Sequence, residues 1–235
     1  MEKRYVTPAE VCGNFLANIR EVDAICHVVR CFENSDIQHV YNRIDPVDDI
    51  AIINFELQMA DMATCENRIA KVEKKAKTTK DKESVFEYEI LSRIHEALSK
   101  SENIRSLEFT ETEAEYVKTM NFLTAKPVIY VCNIKEEEVN DPSVNEHYNA
   151  VKQLAQSEGS EVVAISAQIE EELSDLGKEE KEEFLHELGI NHSGVAAVAF
   201  ATALCVSAEE FKADLVIYGS SPPQFRRRSR RRTWG

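Results

Sequence analysis

Glycine is scarce in this chain, with seven in 235 residues. A phosphate-binding loop needs spaced glycines followed by Lys and Ser or Thr, because backbone amides, ammonium and hydroxyl must converge on phosphates and Mg²⁺. The nearest approach is Gly189-Ile-Asn-His-Ser-Gly194, but Val195-Ala196 stand where Lys and Ser/Thr would be needed. No strand-like run precedes it, so it reads as a helix C-cap at Gly189 followed by a turn. The six cysteines form no Cys-x-x-Cys pair and show no ligand spacing with the six histidines. Cys26, Cys31 and Cys132 lie in or beside apolar runs, which suits buried reduced thiols, with a redox switch as the alternative. No apolar run is long enough to span a membrane, and the N-terminus lacks a signal-peptide pattern. The expectation is a soluble, cytoplasmic protein with no membrane partner. A formal net charge of −14 argues against nucleic-acid binding over the whole surface.

What is present is a set of short β-branched runs. Val128-Ile-Tyr-Val-Cys132 follows Pro127 and shows no polar alternation. That pattern suits a strand buried on both faces, as in a parallel sheet covered by helices. It stops at Asn133, and the carboxyl end of such a strand is where open α/β sheets bind ligands. Ala24-Ile-Cys-His-Val-Val29 and Glu161-Val-Val-Ala-Ile-Ser166 are similar runs. His27 reads as a packed core histidine rather than a ligand. Helical stretches separate the three runs, which gives a βαβ arrangement.

The first crossover is long. Asp45 is a plausible N-cap, Pro46 fits the first helical position, and Asp48 and Asp49 suit the positive end of the dipole. Val47, Ile50, Ile53 and Leu57 form an apolar stripe that resumes at Ile69, Val72 and Ala76. A charged break over Thr78–Glu83 precedes a second stripe at Phe86, Ile90, Ile94 and Ala97, predicting an antiparallel helical hairpin. Lys71, Lys74, Lys75 and Lys77 are a solvated face or a contact for a polyanion. Thr110-Glu-Thr-Glu113 matches a capping box opening a helix to about Met120. Helices are also expected over Val144–Ser157, closed by Gly159, and over the acidic stretch Ile169–Leu188. Asn14–Asp23 has helical spacing, and Leu215–Tyr218 reads as a lone strand. Arg226–Arg232 holds six arginines in seven positions. It reads as a nonspecific exposed tail, or as a segment attracted to RNA.

Several stretches together resemble the Obg-like ATPase (YchF) family: Phe15–Phe32, Asp45-Pro46 with its helix, Arg105-Ser-Leu-Glu-Phe109, Leu123–Glu136 and Ser166-Ala-Gln-Ile-Glu170. The similarity runs from about Asn14 to Gly194, with the motifs in the family's order. It implies an α/β fold, a partial P-loop NTPase with a Rossmann-like parallel sheet and an inserted helical hairpin domain. The division it implies is a remnant of the nucleotide-binding domain over 1–44 and the coiled-coil insertion over 45–121. The rest of the nucleotide-binding domain, with the base-recognition motif, would cover 122–194, and a divergent, disordered tail 195–235. The family hydrolyses ATP in preference to GTP, uses Mg²⁺ and associates with ribosomes.

The base-reading motif of this class, Asn-Lys-x-Asp, reads Asn133-Ile134-Lys135-Glu136 here. Guanine offers N1–H and an amino group to an aspartate, whereas adenine offers neither at those positions. Glu136, longer and differently placed, need not face the base. Asn133 can still pair with the N6/N7 edge of adenine, and Ile134 is expected to pack on the ring. Ser166, Ala167 and Gln168 resemble the second base-contacting loop, where backbone N–H groups would meet the ring. On the residues alone, Asn133 reads as the cap of a loop.

In the family the phosphate loop, the switch completing the Mg²⁺ site and an Asp-x-x-Gly segment precede the region matched here, and none appears in this sequence. Phosphoryl transfer depends on those parts. The expectation is therefore a truncated Obg-like ATPase whose base pocket binds adenine nucleotide weakly and turns none over. The alternative is a non-catalytic module contacting the ribosome through the hairpin or the arginines. The absent first strands would leave the Ala24–Val29 edge open and the sheet poorly ordered.

Overall fold

The computed structural model describes residues 16, 19–33, 44–79, 81–190 and 193–198, and the backbone of 215–219. Four strands form one parallel sheet in the order β3-β2-β1-β4: β1 (Ala24–Arg30), β2 (Val128–Asn133), β3 (Glu161–Ile165) and β4 (Leu215–Gly219). β1 and β2 run in register from Ile25↔Val128 to Arg30↔Asn133, and β2 and β3 from Ile129↔Glu161 to Asn133↔Ile165. These three strands lie where the β-branched runs predict them. Burial on both faces removes the need for alternation, and every residue of β2 but the last is buried.

β4 corrects one expectation. The backbone of 215–219, read as a lone strand, pairs with β1 from Ala24↔Leu215 to Val28↔Gly219. The edge of Ala24–Val29 is therefore covered, and β1 is an interior strand. A helical turn over 194–198 also seats Val198 against Cys26, Ile129 and Val131 on one sheet face. Residues 199–214 and 220–235, Arg226–Arg232 among them, lie outside the described residues, as do Cys12 and Cys205.

The hairpin is α1 (Pro46–Thr78) and α2 (Lys82–Ser99). Asp45 caps α1 by accepting the Asp48 N–H at 3.1 Å, with Pro46 in the first turn. Asp81 caps α2 through the N–H and hydroxyl of Ser84, so the charged break is a turn with its own capping residue. Ile90, Leu91, Ile94 and Leu98 form a separate core with Cys65, Val117 and Phe122. The apolar stripe of α1 lapses after Leu57 because polar side chains take over the buried face. Gln58 donates to the Ser101 carbonyl and Asn103 Oδ1, at 3.1 and 2.9 Å. Asp61 has no exposed surface. Its carboxylate accepts the N–H groups of Leu123 and Thr124 at 3.0 and 2.7 Å and the Thr124 hydroxyl at 2.9 Å. The insertion is thus fastened to the segment leading into β2.

α3 (Glu111–Thr119) carries the expected capping box between Thr110 and Glu113. α4 (Glu146–Glu158) ends at Gly159, whose φ of 67° is the left-handed conformation of a C-cap. The acidic stretch is two helices, α5 (Ala167–Asp175) and α6 (Lys178–Glu187). Leu176 turns extended and Gly177 starts the second helix. α1 and α4 cover one face of the sheet, where Ile50, Leu57, Val151 and Ala155 join Val29, Val128 and Tyr130.

Candidate base-recognition site

The site lies at the carboxyl ends of β2 and β3. Asn133, half-buried, is the last residue of β2, and its backbone is held from both neighbouring strands. Its carbonyl accepts the Cys31 N–H at 2.9 Å, and the following N–H, of Ile134, donates to the Ile165 carbonyl at 2.9 Å. Its side chain is held too, since Oδ1 accepts the Ala167 N–H at 2.9 Å. That amide belongs to the first turn of α5, whose N–H groups have no intrahelical acceptor. Ser166 is buried and caps the same turn by accepting the Ile169 N–H at 3.5 Å. With Oδ1 accepting from Ala167, Nδ2 is the Asn133 group that could donate to a purine N7.

The structure thus brings together Asn133, Ser166 and Ala167 from separate runs, with Gln168 exposed in the same helical turn. Glu136 is half-buried and opens a short 3-10 turn, Glu136–Glu138. Ile134 is a correction. Its side chain is only 2 % exposed and packs in the core with Cys31, Cys132 and Val151. It anchors Asn133 from below and does not offer a face to a ring.

Three residues here were given no role in the site by the sequence. Glu138 accepts the Lys135 N–H at 3.2 Å. Asn145 donates to Glu138 at 2.7 Å and to the Cys31 carbonyl at 2.8 Å. Glu170 accepts the Gly194 N–H at 2.6 Å. A carboxylate therefore occupies the amide at the end of the Gly189–Gly194 stretch, whose first glycine has φ 72° as a C-cap would. The C-cap at Gly189 is the one the sequence predicts. For Asn145 a signal existed: Asn directly before a helix is a preferred N-cap.

Beneath the site Cys31 and Cys132 are both fully buried. Their mutual hydrogen bond, with burial second, pushes the Cys132 thiol far above its usual range. Cys31, Cys65 and Cys132 are free thiols, and they and Cys26 are buried. His27 is buried in β1 beside the Tyr130 ring, 5.8 Å between centroids. Burial first, and Arg105 second, lower its pKa to about 4, so it is a neutral core residue at ordinary pH. Among the described residues no group of three or more His, Cys, Asp or Glu is placed to hold a metal ion, and no step is assigned to Mg²⁺. Among them, too, no helix is long and apolar enough to cross a membrane.

No family model matches the chain. Individual proteins do. A ribosome-binding ATPase YchF of Bacillus subtilis is 51% identical over 187 residues, covering 79% of this chain and 51% of that protein. One from Haemophilus ducreyi is 43% identical over 224 residues, covering 92% of this chain and 61% of that protein. The solved structure of the Schizosaccharomyces pombe YchF GTPase superposes with a TM-score of 0.71 at 29% identity, over 81% of this chain and 52% of that one. The chain thus spans about half the length of the curated relatives it matches. On this similarity, and on a parallel sheet whose first crossover carries a helical hairpin, the chain belongs to the YchF (Obg-like ATPase) family of P-loop proteins.

Proposed function

We propose that this chain supplies the adenine-recognition half of a ribosome-associated ATPase. The observation that carries the reading is the fixing of Asn133 by three hydrogen bonds, from Cys31 to its carbonyl, from Ala167 to its side chain, and from the following N–H of Ile134 to Ile165. An amide locked in this way can pair with the N6/N7 edge of adenine, Nδ2 donating to N7 and the second lone pair of Oδ1 accepting from the amino group. Glu136 lies on the same loop where the guanine-reading aspartate of the class would stand, and the Gln168 N–H is available in the first turn of α5. Ile134 serves from below.

The binding is weak and no phosphoryl transfer follows from these residues. Positioning of the phosphates does nearly all the work in that reaction, and the sequence contains no Gly-x-x-x-x-Gly-Lys-Ser/Thr. The names of the relatives support association with ribosomes, and the exposed Lys71, Lys74, Lys75 and Lys77 on α1 are the surface we assign to RNA contact.

Titration of the purified 235-residue chain with adenosine, followed by NMR, tests the base site. Saturable shifts of the Asn133 side-chain amide and the Ala167 N–H are expected. Asn133→Ala should weaken binding about tenfold or more, the loss of one to two hydrogen bonds. Steady-state ATP hydrolysis should stay at background. Turnover that disappears in Asn133→Ala would show that the catalytic parts are present after all.

A further inference from the structure

We infer that Asn145 is a positioning residue for base recognition, locking the 133–138 loop to the rest of the sheet; this rests on the base-site reading above. Asn145 is buried, with 7 % of its surface exposed, and precedes α4. Its amide group is fully used. Oδ1 accepts the Tyr148 N–H at 2.8 Å and so caps α4. One Nδ2 hydrogen goes to the Cys31 carbonyl at the end of β1, and the other to Glu138 Oε2. The same Glu138 oxygen accepts the Lys135 N–H, two residues beyond Asn133.

These contacts close a ring around the base loop. The Cys31 N–H fixes the Asn133 carbonyl while the Cys31 carbonyl is fixed by Asn145. Asn145 then holds Glu138, and Glu138 holds Lys135 back toward Asn133. Only a primary amide satisfies all three demands. An aspartate keeps the acceptor that caps α4 but has no hydrogens to give, and it would face both a carbonyl and the Glu138 carboxylate. A serine keeps a cap and adds no charge, but it cannot reach two acceptors while accepting from Tyr148. Capping and positioning are therefore separable by substitution, since Asp and Ser rank with Asn as N-caps.

The Asn145–Glu138 bond is charge-assisted, so losing it should free the loop measurably. The experiment uses the full chain as wild type, Asn145→Asp and Asn145→Ser. Amide exchange at Lys135–Glu138 should quicken about tenfold or more in both variants, while exchange within α4 stays at the wild-type rate. The Asn133 side-chain amide resonance should shift, and adenosine should bind about tenfold more weakly, in line with one charge-assisted bond lost. If both variants keep wild-type exchange at Lys135–Glu138, the positioning role is overturned, whatever the affinity. If α4 opens together with the loop in both, Asn145 is only a cap and the inference fails. If wild type does not bind adenosine but its loop loosens in the variants, the base-site reading fails alone and the loop lock stands.

Discussion

Asp61 illustrates how single buried groups hold this molecule together. A carboxylate with no exposed surface is costly unless every lone pair is used. Here two N–H groups and a hydroxyl donate to it, and the Arg20 guanidinium stands at 3.5 Å. Asp61→Asn keeps the shape but turns an NH₂ toward a backbone donor. It should cost about 3 kcal/mol, read from urea unfolding, and a loss under about 1 kcal/mol would mean the 122–124 segment is held by packing instead. His27 sets a pH dependence. Its pKa falls from 6.5 unfolded to about 4 folded, so the unfolded chain binds the proton first. Its contribution is complete above pH 6.5 and is lost as pH falls toward 4, on the order of 3 kcal/mol in all. Unfolding free energies at pH 7 and pH 5 should therefore differ less in His27→Leu than in wild type; equal pH slopes would show that His27 takes up its proton alike in both states.

Among the elements, two glycines separate backbone strain from crowding. Gly159 closes α4 with φ 67°, and a Cβ added there would have nothing within 4 Å, so Gly159→Ala should cost only the left-handed backbone strain, about 1 kcal/mol. Gly194 needs no special φ, but a Cβ there would meet Ile165 Cγ2 at 2.6 Å. Gly194→Ala should cost about 1–3 kcal/mol through overpacking and should disturb β3 resonances, which Gly159→Ala should not. The same division between local preference and distant contact governs what the sequence makes legible. Strands β1, β2 and β3, the caps at Asp45 and Thr110 and the stop at Gly159 follow from local residue preference and are readable. The middle of α1 is not, because its buried face is built from Gln58 and Asp61, whose partners are over 40 residues away. Asn133 and Ser166 are picked out as candidate site residues only through resemblance. The core position of Ile134 is not, because the replacement of a lysine by an apolar residue does not say which way the side chain turns.

At the scale of the whole molecule, the sheet and the charge distribution make opposite demands on a nucleotide. β1 lies between β2 and β4, so the amides of Ala24–Val29 should be among the slowest to exchange, and fast exchange there would mean that β4 does not hold the edge. The proposed base site sits at the carboxyl ends of strands kept in place by that pairing, with an asparagine amide and a helix N-terminus beside it. Beyond it the sequence has no glycine-rich lysine loop, and the chain carries a net charge of −14. On the proposed reading, each phosphate added to adenosine is expected to bring repulsion without a cradle, screened over about 8 Å at physiological salt. ATP should bind no more tightly than adenosine, the difference should shrink as salt is raised, and Mg²⁺ should help only by neutralising ligand charge, by less than about threefold. Calorimetric titration of both ligands with and without Mg²⁺ decides it: ATP binding that is both tighter than adenosine and strongly Mg²⁺-dependent would require a phosphate site built from residues other than those of the described sheet.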